Sequence, residues 1–262
     1  MLNESCPSAK AKGLVEFRGP WAGPEGLYLE RGNVLVLILV AIALLAALSM
    51  AIMRSDVTDA DSVAPEQARV IASQIMAQAR TVEGAVKTLI AKGCSEQTVN
   101  FENTTVAGYT NVDAPADETC DVFKRAGAGL AWPIPPTNSN DGSNWLFLGG
   151  NAVDGVTTTD DGACASGCID LMAVLPHVGL NVCKQLNALA GVTAASTAPP
   201  VDTGDFNATT KIAGFNATAV GDDIDDAGTV LQGRHTGCFE PTNVDGADDS
   251  GTYWFYHVLL VR

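Results

Sequence analysis

The amino-acid sequence predicts an α+β protein in which a long N-terminal helix, half apolar and half amphipathic, packs on a disulfide-stapled antiparallel β-sheet. Three observations predict it. Residues 33 to 53 form an apolar run, residues 65 to 92 repeat apolar side chains at helical spacing, and six cysteines follow in a Gly-, Thr- and Asp-rich remainder.

From Val34 to Met53 there is no charge, and Ser49 is the only polar side chain. Twenty helical residues would be ~30 Å long, the thickness of a bilayer's hydrocarbon core. Twelve of these residues are Leu, Ile or Val, each favouring insertion by roughly 0.3 to 0.6 kcal/mol at mid-membrane. The run therefore predicts a membrane-spanning or filament-core helix over 33–54. Lys10, Lys12, Arg18 and Arg31 precede it, and Arg54, Asp56, Asp59 and Asp61 follow it. That bias orients residues 1–32 as a cytoplasmic leader and predicts a single pass through the inner membrane, with the C-terminal domain outside the cytoplasm.

Residues 55–93 are the amphipathic half. Pro65 suits a first helical turn, and Ala68, Ile71, Ile75, Ala79, Val82, Val86 and Leu89 form one stripe. Glu83 and Lys87 pair four apart, and Gly93 ends the element. Residues 94–262 then read as a β-rich globular domain. Its strand candidates are 98–101, 145–148, 169–174, 230–232 and 253–261. The last, YWFYHVLLV, is apolar enough to be covered on both faces. A second helix is expected from Pro176 to Leu189, and the polar stretch 192–231 is expected to be an extended loop insertion.

Of the seven cysteines, Cys6 precedes the apolar run, while Cys94, Cys120, Cys164, Cys168, Cys183 and Cys238 follow it. An even set in such sequence implies disulfides and an oxidising compartment. Six cysteines allow fifteen pairings, and spacing does not choose among them. The net charge of -15 lies beyond the apolar run and leaves no basic stripe for nucleic acid.

No catalytic constellation is evident, and the chain is read as a non-enzyme. Its three histidines, His177, His235 and His257, accompany no Ser-containing elbow motif. No metal or other cofactor is required. Weak calcium candidates are Asp222, Asp223 and Asp225 in one acidic run and Asp245 and Asp248 in another, although neither has EF-hand spacing.

Glu30-Arg31-Gly32 followed by Asn33 and the apolar run resembles the N-terminus of type IV pilins and type II secretion pseudopilins. The amphipathic continuation strengthens the likeness, which covers only the leader and helix. It implies cleavage between Gly32 and Asn33 by a prepilin peptidase. It also implies assembly with other pilin-like subunits through the segment beginning Val34, Val36, Leu35, Leu37, Ile38 and Leu39, giving a cell-surface or periplasmic filament. Family members usually carry an aromatic residue where this chain has Asn33 and a Glu where it has Leu37, which points to a minor subunit. The pairs expected are Cys94–Cys120, Cys164–Cys168 and Cys183–Cys238, the third of which would resemble the C-terminal disulfide of many pilins. Two alternatives are a single-pass, membrane-anchored binding domain that does not polymerise and a secreted domain released by cleavage near Ala51.

Overall fold

The computed structural model describes residues 38–45, 63–156, 169–211, 223–224 and 230–261. The chain divides into two units, Met1–Asp56 and Val57–Arg262. Of the first, residues 38–45 are described; they are helical and exposed, and are called α1.

The second unit opens with α2, Pro65–Ala91. Ala64 is extended because the pyrrolidine ring of Pro65 disfavours a helical residue before it. Lys92 ends the helix, and Gly93 leaves it at a φ of 102° that side chains resist. The stripe read from sequence is the buried face, joined by Ala72 and Met76.

The expected long N-terminal helix is overturned. Val63 and Ala64 are non-helical, so α2 starts afresh at Pro65 instead of prolonging the apolar segment. Among the described residues no helix is long and apolar enough to cross a membrane. At ~1.5 Å per residue the eight positions of α1 rise ~12 Å, and α2 carries Glu66, Arg69, Arg80, Glu83 and Lys87 along its length. The expected single pass through the inner membrane, with the C-terminal domain outside, loses its structural basis. Residues 33–37 and 46–54 of the expected span lie outside the described residues.

Seven strands follow: β1 Leu146–Val153, β2 Asp170–Leu175, β3 Val201–Phe206, β4 Asp223–Ile224, β5 Thr236–Val244, β6 Ala247–Asp248 and β7 Trp254–Leu260. A helix, α3, Leu180–Ala190, lies between β2 and β3. The sheet order is β3-β5-β7-β2-β1-β4, with β6 beside β5. It is mixed, which corrects the expected antiparallel sheet. The centre pairs antiparallel, while β3 joins β5 and β4 joins β1 in parallel. Parallel pairs arise because long crossovers return the chain in the same direction, which short hairpins cannot do.

The sheet also curls. Beyond β3, the chain comes back to β1 through reciprocal bonds between Asn151 and Asn207, and Gly149 N donates to Thr210 O at 3.3 Å. Gly150 permits this approach, since a Cβ there would lie 2.7 Å from that of Thr210. One face of the sheet meets α2 and α3, and the curled face encloses a second core around Leu148, Met172, Phe206, Phe239 and Tyr256.

β7 is central and buried as expected, with Phe255 and Leu259 towards the helices and Trp254, Tyr256 and Val258 towards the curl. Other expectations change. Residues 98–101 make only an isolated bridge, Asn100 to Asp121, and 230–232 form a turn. Within the expected insertion at 192–231 run β3 and β4, whose Phe206 and Ile224 are buried. α3 starts four residues later than Pro176 because His177 adopts a φ of 53° and Val178 N donates to Tyr253 O at 2.8 Å.

Candidate functional site

The segment with the strongest functional signal in the sequence is the one that includes α1. Leu39, Val40, Ile42 and Leu44 there are 53 to 66 % exposed. Ile38 belongs to the same helix; Gly32, Asn33, Val34, Leu35, Val36 and Leu37 lie outside the described residues.

Among the described residues two disulfides are formed, Cys94–Cys120 and Cys183–Cys238, with Cα separations of 5.8 and 5.4 Å. The first fastens the end of α2 to the loop that returns beneath it. The second fastens α3 to β5, and Asn187 reinforces the join: its Nδ2 donates to Cys238 O at 2.7 Å and its Oδ1 accepts from Cys238 N at 2.8 Å. Cys164 and Cys168 lie outside the described residues. Two disulfides fit an oxidising environment.

Among the described residues no group of three or more His, Cys, Asp or Glu side chains has the geometry to hold an ion. Asp222 and Asp225 lie outside the description, and Asp223 belongs to β4. Asp245 and Gly246 have φ of 51° and 78°, the pair of left-handed residues that a two-residue hairpin between β5 and β6 requires. Asp245 Oδ1 accepts from Ala208 N and Thr209 Oγ1, while Asp248 Oδ1 accepts from Ser250 N. The Asp245 bonds tie the hairpin to the segment after β3, the Asp248 bond is a local turn bond, and the hairpin explains the Asp-Gly pair.

One polar constellation was not foreseen. His257 on β7 is 6 % exposed and points at α2, where its Nε2 lies 2.9 Å from Glu83 Oε2. Its Nδ1 faces the hydroxyl of Thr236 on β5, and Lys87 donates to the other oxygen of Glu83. The sequence shows Glu83–Lys87 as a local pair, but the placement of His257 opposite them depends on the register of β7 under the helix. Desolvation pushes the imidazole below its usual range, against the pull of Glu83. The Glu83 carboxylate is held below its usual range: burial opposes this, but the bonds to Lys87 and His257 prevail. Nucleophile, base and acid stand in the order of an acyl-transfer relay, yet the imidazole is enclosed between helix and sheet. The arrangement works as a polar lock between the two layers.

His177 is different. Half-exposed at the other end of β7, it meets Asp141 at 2.8 Å through Nδ1 and stacks edge-on against Trp254. Its carboxylate partner is kept below the usual range, mainly by hydrogen bonds from Ser143 and by the imidazole, which outweigh its desolvation. The group braces the loop before α3.

No protein-family model, curated protein or solved structure matches this chain, pilin-like proteins included.

Proposed function

We propose that the chain is a pilin-like structural subunit, of the minor kind, exported and assembled with similar subunits through its apolar N-terminal segment. The observation that carries this reading is the exposed apolar surface of α1, directly behind a charged-Gly start at Glu30–Gly32. Burying four such side chains between subunits would contribute about 1.5–3 kcal/mol each, enough to drive lateral association. The amphipathic helix α2 on a sheet, and a disulfide that ties α3 to β5 beside the last strand, support the reading as a compatible subunit body. Its role is structural: the histidine lock holds helix to sheet and takes no substrate.

The test is the N-terminus of the mature protein in its own cells. Asn33 is expected as the first residue, and Gly32→Leu should leave the leader attached and abolish incorporation into filaments. An N-terminus at Ile52 would overturn the proposal in favour of a secreted domain. A retained leader in the wild-type chain would leave a non-polymerising binding protein.

A further inference from the structure

The two disulfides differ in what reaches them. Cys183 and Cys238 are each 0 % exposed, sealed between α3 and β5. Cys94 follows α2 into an open cleft of about 360 Å³, which it lines with Ile90, Ser95, Glu96 and Gln97. Its partner Cys120 lies behind it, 4 % exposed. A disulfide is cleaved by a thiolate that approaches one sulfur in line with the S–S bond and expels the other. Of the two disulfides among the described residues, Cys94–Cys120 is the one with a cysteine lining a surface opening.

We propose that Cys94–Cys120 is a thiol-exchange site, attacked at Cys94 by the dithiol of a partner redox protein, whereas Cys183–Cys238 is a permanent staple. In the first step the partner's thiolate bonds to Cys94 Sγ, the Cys94–Cys120 bond breaks, and Cys120 leaves as a thiolate that takes a proton from water. Thr98 Oγ1, 3.8 Å from Cys120 Sγ, is placed to donate to that departing sulfur. The partner's second thiol, deprotonated, then displaces Cys94, which takes a proton in turn. The chain gains two electrons and two protons, and the partner becomes a disulfide.

The geometry also says what the exchange controls. Residues 95–119 are closed into a loop by this bond, and that loop carries Tyr109, whose hydroxyl accepts from Phe147 N at 2.8 Å. Opening the bond releases the loop's covalent tie to the end of α2 while leaving the bond between α3 and β5 intact.

The experiment uses the full chain, folded, in non-denaturing buffer with dithiothreitol, sampled over time, alkylated and mapped by peptide mass. Cys94 and Cys120 should become labelled together, roughly tenfold or more ahead of Cys183 and Cys238, which must wait for an opening of the fold. Equal rates, or earlier labelling of Cys183 and Cys238, would overturn the proposal. A thioredoxin-type protein lacking its second active-site cysteine should be trapped on Cys94. Trapping on Cys120, or no adduct at all, would equally defeat it.

Discussion

The two faces of the sheet are built by different means. Towards the helices, a regular stripe from α2 meets Trp145, Phe147 and Phe255, and a buried disulfide and Asn187 fasten α3 in place. On the curled face, Phe206, Phe239, Trp254 and Tyr256 stack edge-on in a chain beside the short strand β3, whose exposed residues are Val201, Thr203 and Asp205. Both cores carry large rings; the first adds the long periodic stripe of α2, whereas the second is closed by strand and turn residues alone. Large aromatics give so much buried area per residue that strands of poor β-propensity still hold together around them.

The comparison can be broken most severely on the helix face. Trp145→Ala removes a ring that packs edge-on against Phe255 and donates from Nε1 to Gln78 Oε1 at 3.0 Å. It should cost about 3–5 kcal/mol in urea unfolding. Phe206→Ala, at the lip of the curl, should cost about 3 kcal/mol, since an edge strand collapses more easily around a void. Its distinguishing signature is in amide exchange: β3 should lose protection while α2 keeps it. Equal loss in α2 would show that the two faces open as one unit. Asn187→Ala leaves the N–H and C=O of Cys238 unpaired inside the protein, and about 2 kcal/mol should be lost.

The smallest effect is that of pH. The His257 imidazole titrates below its ordinary 6.5 in the folded chain, so the unfolded chain binds the extra proton first. Its contribution is complete above about pH 6.5 and is lost as the pH falls through the lower, folded value. Glu83 acts in the same direction further down, because its lowered pKa gives stability that is present above 4.5 and lost on acidification. Denaturation midpoints should therefore decline below pH 6.5, and His257→Asn should flatten the upper part of that decline. A profile unchanged by this substitution would show that the lock does not sense protons.

The same contrast explains how much was legible beforehand. The α2 stripe and YWFYHVLLV announced themselves because a long period and a solid apolar run have few other readings. β5, TGCFEPTNV, did not, since Pro241 argues against a strand. The structure admits it because β5 changes partners: Thr236 to Phe239 pair with β7, and Glu240 to Val244 pair with β3. Pro241 thus falls beyond the stretch where β7 needs its N–H. The Asp245-Gly246 turn was readable from its hairpin chemistry, but its acidity drew the eye to calcium. The His257 lock was not readable at all, since it depends on which strand residue faces which helical turn. The missing continuity between the apolar segment and α2 was signalled by Pro65, which fits a helix start better than a helix interior.

That α2 rests on α3 and β7 has a consequence for how the chain comes into being. The helix emerges early during synthesis, but α3 follows only after two strands, and β7, the last of its covers, only after the whole intervening sheet sequence. Until then its stripe is only partly covered, by the segment around Phe101 and Tyr109 and then by α3, and full closure waits on β7. A cell making this protein must keep that helix from the wrong company for most of the time it takes to translate the rest.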